Sequence, residues 1–212
     1  MKTLYIEARK NLKLNKEKLV ELEKILPSPI YIVYSIQYKK LAEEVKKELE
    51  TSKKIKVIGF SQILGCSELK TKADILLIGQ GRFHALNLAL SSAREVYVFD
   101  NFSINKISKK EIEKMKRKEK GKYLKFLASD KIGIIVSTKS GQEHLRLAEN
   151  LKKKIQEQGK EAFIFLADNI SLAELENFPI GIFINTACPG LSLDSSLVLN
   201  RTSLENFEKQ CA

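Results

Sequence analysis

Eight short apolar runs, separated by amphipathic stretches, constrain this chain more than any other feature. They are LYIEA (4–8), IYIVYSI (30–36), KVIGF (56–60), ILLIG (75–79), VYVFD (96–100), IGIIVST (132–138), AFIFLA (162–167) and IGIFINT (180–186). Most are nearly continuous in β-branched or apolar residues, without the alternation of a strand that faces water on one side. Such a strand is buried on both faces, the condition of a parallel strand between helical layers. Between the runs, stretches 16–26, 38–49 and 142–158 carry apolar residues at helical spacing, with Leu145, Ala148, Leu151 and Ile155 the clearest set. Strand alternating with helix predicts an α/β fold of mainly parallel sheets flanked by helices.

The length of 212 residues suits one large domain or two small ones. With 43% hydrophobic and 30% charged residues, the composition excludes a disordered or collagenous chain. The net charge of +11 is uneven. Between Asn105 and Lys125 ten basic residues face three acids, so this stretch alone carries +7. Its pattern is helical, with a sparse apolar stripe of Ile107, Ile112 and Met115. We read it as a basic helix separating two small three-layer α/β domains, residues 1–125 and 126–212. Blocks of like charge are commonly a solvated face, or else a patch for RNA or an acidic protein surface. A single aromatic, Tyr123, falls in the run, fewer than a single-strand stacking platform requires, which argues against direct nucleic-acid binding. No stretch approaches the roughly 18 consecutive apolar residues of a membrane span. The N-terminal segment lacks the apolar core of a signal peptide. Three scattered cysteines form no disulfide framework. The expectation is a cytoplasmic protein in a reducing compartment.

Ligands of open α/β sheets bind beyond the carboxyl ends of strands, and the unusual residues of this chain collect there. KVIGF is followed by SQILGCSE with Cys66, ILLIG by GQGRFH (79–84), and VYVF by Asp100. IGIIV is followed by STKSGQ (137–142), and IGIFI by NTACPG (185–190) with Cys188. Each piece also has a plain structural reading. Cys66 and Cys188 read equally as buried core thiols, and Cys211 as an incidental residue of a fraying end. Gly79 and Gly81 allow close backbone approach, and Arg82 can pair with a carboxylate. The third glycine of a dinucleotide fingerprint is missing, because His84 stands in its place. His84 reads as a ligand, a base or a satisfied core residue. STKSGQ reads as an anion-binding helix start or as a simple cap at Ser140.

Together these strings resemble the diphthamide synthase family, the 2-(3-amino-3-carboxypropyl)histidine synthases. GQGRFH after a strand, LGC some fifteen residues before it and Asp100 about twenty after carry the resemblance. IGIIVSTKSGQ, GKEAFIF (159–165) and NTACPGLSLD (185–194) follow in the same order. The match covers roughly residues 1–200 and corresponds to the family's second and third domains, with the first missing. The resemblance implies a 4Fe–4S cluster and S-adenosylmethionine as cofactors. It implies transfer of a 3-amino-3-carboxypropyl group, by radical chemistry, to a histidine of translation elongation factor 2.

In the family, three cysteines from three domains hold the cluster, and thiolates suit that role. The resemblance makes Cys66 and Cys188 two of those ligands. Gly79, Gly81, Arg82, Phe83, His84 and Asp100, with Ser137, Lys139, Gly141 and Gln142, would bind the cofactor. Three positions depart from the family pattern: Gln80 for Asp, Ala85 for Pro and Gly190 for Arg. A glycine cannot replace the fixed donor fork of an arginine. Two cysteines do not complete a three-thiolate set. A separate polypeptide, a second copy of this chain or an unusual ligand set would supply the rest. The reading is one part of a split or heteromeric synthase. The alternative is a non-catalytic partner or scaffold subunit that binds the elongation factor or another synthase subunit.

Overall fold

The computed structural model describes residues 4, 6–64, 69–193 and 195–211, and within it seven of the eight apolar runs pair as parallel strands. The exception is LYIEA, expected as a strand. Leu4 and Ile6 are 85% and 86% exposed. Residues 6–10 run as irregular chain, and Lys10 N–H donates to Gln37 O at 2.8 Å, outside any strand.

The chain divides into two compact units, one ending at Glu113 and the other starting at Lys114. That division falls inside a helix, whereas the sequence reading places the boundary at 125. The first unit runs α1 (Lys16–Ile25), β1 (Ile30–Tyr34), a 3-10 turn at Ile36–Tyr38, α2 (Lys39–Ser52), β2 (Val57–Gln62), β3 (Asp74–Ile78), α3 (Arg82–Ser92), β4 (Val96–Phe99) and β5 (Ile104–Lys106). Its strand order is β2-β1-β3-β4-β5, parallel except for β5. Alternate residues of each strand feed two cores. Ile30, Ile32, Tyr34, Leu76, Ile78 and Phe99 pack with Leu19 and Leu22 of α1 and Leu41, Val45 and Leu49 of α2. Val33, Ile75, Leu77 and Val96 pack with Ala85, Leu88 and Ala89 of α3. This is the three-layer arrangement that two-sided apolar strands require.

The basic stretch forms α4 (Lys109–Ala128), whose start is fixed by a reciprocal pair. Glu111 N–H donates to Ser108 Oγ at 3.3 Å, and Ser108 N–H donates back to Glu111 Oε2 at 3.1 Å. That is a capping box, satisfying two orphan amides at the helix entrance. Most of the lysines on α4 are exposed, while Tyr123 and Phe126 pack into the second unit.

The second unit continues with β6 (Lys131–Ser137), α5 (Leu145–Glu157), β7 (Glu161–Ala167), α6 (Leu172–Leu175), β8 (Ile182–Asn185), a 3-10 turn at Pro189–Ser192, β9 (Val198–Asn200) and α7 (Arg201–Cys211). The order is β7-β6-β8-β9, all parallel. Ile132, Ile134, Val136, Ile182 and Ile184 pack with α4, α5 and α7. The opposite face, with Ile135, Phe183 and Val198, is covered by Leu172 and Leu175 of α6 and by loop residues.

Each sheet therefore starts with a central strand, steps to one side and returns on the other. The reversal lies between β1 and β3 in the first unit and between β6 and β8 in the second. Such a switch point opens a crevice at the carboxyl ends of the strands. Parallel neighbours also need a crossover, usually a helix. From β8 to β9 that crossover is only the segment 186–197.

Candidate functional site

At the first crevice the ends of β1 and β3 approach closely. A Cβ on Gly79 would stand 3.0 Å from Ser35 Oγ, so only glycine fits without displacing that hydroxyl. Gly79 N–H donates to Phe99 O at 3.0 Å, joining the loop to the end of β4. Gly81 precedes α3 at φ +93°, a conformation that side chains with a Cβ rarely adopt. The expected residues Gly79, Gly81, Arg82, Phe83 and His84 are thereby brought together at the start of α3.

Their side chains have distinct surroundings. Arg82 is mostly exposed and forms an ion pair with Glu111, the acid of the α4 capping box. His84 is half-buried, with its ring edge-on to Phe83 at 5.4 Å between centroids. Burial holds its imidazole below the ordinary histidine value. Asp100 is largely committed to its own turn. Its Oδ1 accepts from Phe102 N–H at 3.0 Å, Ser103 N–H at 2.7 Å and Ser103 Oγ at 3.1 Å. Burial acts to raise this carboxyl, but the bonds from Ser103 and Phe102, with one from the Gln80 side chain, outweigh it and keep the carboxyl below its usual range.

One residue of this crevice, Lys10, is not legible in the sequence. Lys10 Nζ donates to Tyr38 Oη at 2.9 Å and to Gln80 Oε1 at 3.0 Å. Gln80 thus links a lysine of the N-terminal segment to Asp100. No motif surrounds Lys10, and its place depends on contacts made far along the chain.

At the second crevice the STKSGQ loop and the NTACPG segment follow neighbouring strands, β6 and β8. Ser137 is buried and its Oγ accepts from Lys139 N–H at 3.2 Å. Lys139 Nζ donates to Asn169 Oδ1 at 2.7 Å. Gln142 N–H donates to Lys139 O at 2.9 Å, closing a turn with Gly141 inside it. The expected cap at Ser140 is not found. α5 begins only at Leu145, with His144 before it, because this turn intervenes.

Cys188 is half-exposed just beyond β8, and its turn is held by side chains from three elements. Asn185 Nδ2 donates to Cys188 O and to Asn200 Oδ1, both at 2.8 Å. Asn200 Nδ2 donates to Pro189 O at 3.1 Å and to Ser192 Oγ at 2.7 Å. Lys122, 6% exposed, donates from Nζ to Ser192 O at 2.6 Å and to Glu119 Oε1 at 2.8 Å. Glu119 Oε2 is buried and makes no hydrogen bond among the described residues. Sequence reading missed Lys122 and Asn200. The only signal for the lysine is its helical spacing from Tyr123 and Phe126.

Cys66 lies outside the described residues. Among the described residues no three His, Cys, Asp or Glu side chains gather as a metal site. For an iron–sulfur centre, the half-exposed thiol of Cys188 at a switch-point crevice is of the right donor chemistry and accessibility. Alone it would supply only one of the several ligands such a centre needs.

Comparison with known proteins matches residues 1–210 to the family described as diphthamide synthesis protein. The 2-(3-amino-3-carboxypropyl)histidine synthase of Pyrococcus horikoshii is 31% identical, over 84% of this chain and 55% of its own length. The enzyme of that name from Methanocaldococcus jannaschii is 29% identical, over 95% and 59%. The crystal structure of Dph2 from Pyrococcus horikoshii with a 4Fe-4S cluster superposes with a TM-score of 0.79 at 30% identity, covering 92% of this chain and 61% of that one. The chain thus spans a little over half the length of these relatives.

Proposed function

Because the chain belongs to the diphthamide synthesis protein family, we propose that it works in diphthamide biosynthesis as one part of a split or heteromeric synthase. The reaction is transfer of a 3-amino-3-carboxypropyl group from S-adenosylmethionine to a histidine of translation elongation factor 2. The observation that carries this reading is that Cys188 and the 137–142 loop follow the two neighbouring strands, β6 and β8, that flank the switch point. A second feature supports it: the GQGRFH residues stand together at the equivalent place in the other sheet.

In this reading Cys66 and Cys188 are cluster ligands, each as a thiolate, and the remaining ligand comes from a second copy or another chain. Such a cluster supplies one-electron cleavage of a carbon–sulfur bond in S-adenosylmethionine. The residues of this chain bind and orient. Gly81, beside which a Cβ would meet nothing within 4 Å, leaves backbone open to a ligand, while Gly79 makes room for the Ser35 side chain. Arg82 offers a planar donor fork suited to the amino acid carboxylate, exchanging its Glu111 partner for the ligand. His84, kept neutral by burial at physiological pH, adds no charge beside a sulfonium. Lys139 and the amides of its turn are polar groups that the second crevice offers to the cofactor.

The test is iron and sulfide content with electron paramagnetic resonance after anaerobic reconstitution of the full chain, alone and with candidate partner chains. The expected result is a 4Fe–4S signal that shifts with S-adenosylmethionine and is lost in Cys66→Ala and in Cys188→Ala. A signal that survives both substitutions would refute the ligand assignment. Absence of any cluster in every combination would favour the scaffold-subunit alternative.

A further inference from the structure

We propose that Asn200 and the buried Lys122–Glu119 pair are positioning residues, holding the Cys188 turn in the shape that receives a metal centre. The proposal rests on the ligand reading of Cys188 and extends it to residues that touch neither thiol nor cofactor.

Three observations carry it. First, the carbonyls of Cys188, Pro189 and Ser192 each take a side-chain donor, from Asn185, Asn200 and Lys122 respectively. These donors come from β8, β9 and α4, so three elements converge on one short turn. Second, stability does not account for the Lys122–Glu119 pair. Taking two charges out of water offsets much of their attraction, and apolar replacements of buried pairs are often neutral or stabilising. Here the penalty is larger than usual, because Glu119 Oε2 is buried with no hydrogen-bond partner among the described residues. Third, what the pair does secure is the far end of the turn: Lys122 Nζ spans Glu119 Oε1 and Ser192 O at 2.8 and 2.6 Å.

The physical consequence is preorganisation. A ligand already fixed loses less conformational freedom when the metal arrives, and bonds behind the ligating residue set its direction. Loss of such partners typically lowers metal affinity about 10–100-fold.

Two variants test this in the full chain. Asn200→Asp keeps the volume and the acceptor for Asn185 but removes the donor to Pro189 and Ser192. Lys122→Met with Glu119→Leu removes both charges together, so that neither is stranded. Three quantities are read: amide hydrogen exchange across 187–193, alkylation of Cys188 by iodoacetamide in a Cys66→Ser, Cys211→Ser background, and release of iron to a chelator from reconstituted chains that retain their cysteines. The expected result is roughly tenfold faster exchange in the turn, a changed alkylation rate and roughly tenfold faster iron release. The melting temperature of the double variant stays equal or rises. Exchange and alkylation at wild-type rates would overturn the proposal. So would a loosened turn with unchanged iron retention, or iron loss that merely follows a falling melting temperature. If the wild-type chain takes up no iron with any partner, the cluster reading fails separately. The hold on the thiol is then decided by exchange and alkylation alone.

Discussion

Burial lowers the His84 imidazole, so an unfolded chain takes up that proton at a higher pH than the folded one. The stability linked to this group is complete above the ordinary histidine value, about 6.5, and is lost as the pH falls below it. The stability gap between wild type and His84→Gln should therefore narrow from pH 7.5 to pH 5.5. Urea melts at the two pH values check it, and a constant gap would contradict the assignment. Gly81 makes a second prediction at this scale. At φ +93°, Gly81→Ala should destabilise the chain by about 1 kcal/mol or more. S-adenosylmethionine binding should weaken as well if the loop holds that cofactor. These glycines and the cysteines stand out in the sequence because their chemistry is unusual at strand ends. Lys10, Lys122 and Asn200 do not, because a lysine or asparagine becomes informative only when distant residues supply its surroundings.

Among the elements, α4 is the one with the most varied contacts. Its capping box fixes the helix start, and the same Glu111 carboxylate pairs with Arg82. Ser108→Ala should cost about 1 kcal/mol, measured by urea melts. Farther along, Phe126 is 1% exposed in the second core. Phe126→Ala should cost about 3–5 kcal/mol, with faster hydrogen exchange in β6 and β8 as its local signature. The long apolar strands were legible because two-sided burial leaves an uninterrupted pattern. The short ones were not: β5 and β9 are three residues each, and β9 passes directly into α7 without a turn residue. α3 was hidden because it starts inside a string that reads as a loop, and its small residues make a weak apolar stripe. LYIEA shows the opposite error, an apolar pattern whose Leu4 and Ile6 stand exposed.

For the molecule as a whole, +11 is a property of its surface more than of its cores. Lys114, Lys116 and Lys118 are exposed on α4. Reversing all three to Glu should change stability by no more than about 0.5 kcal/mol per site while moving the chain to earlier elution from a cation exchanger. A larger loss would mean that these side chains are engaged in the fold. The first four strands of each sheet repeat one order, with the outermost strand of the second unit, β9, reached through the segment that carries Cys188. That segment has two duties, one chemical and one architectural. A typical surface loop can gain or lose residues over generations with little harm. This one is also the whole tether of an edge strand, so a residue removed from it would strain β9 as well as move the thiol, and the architecture itself discourages drift at the cysteine's address.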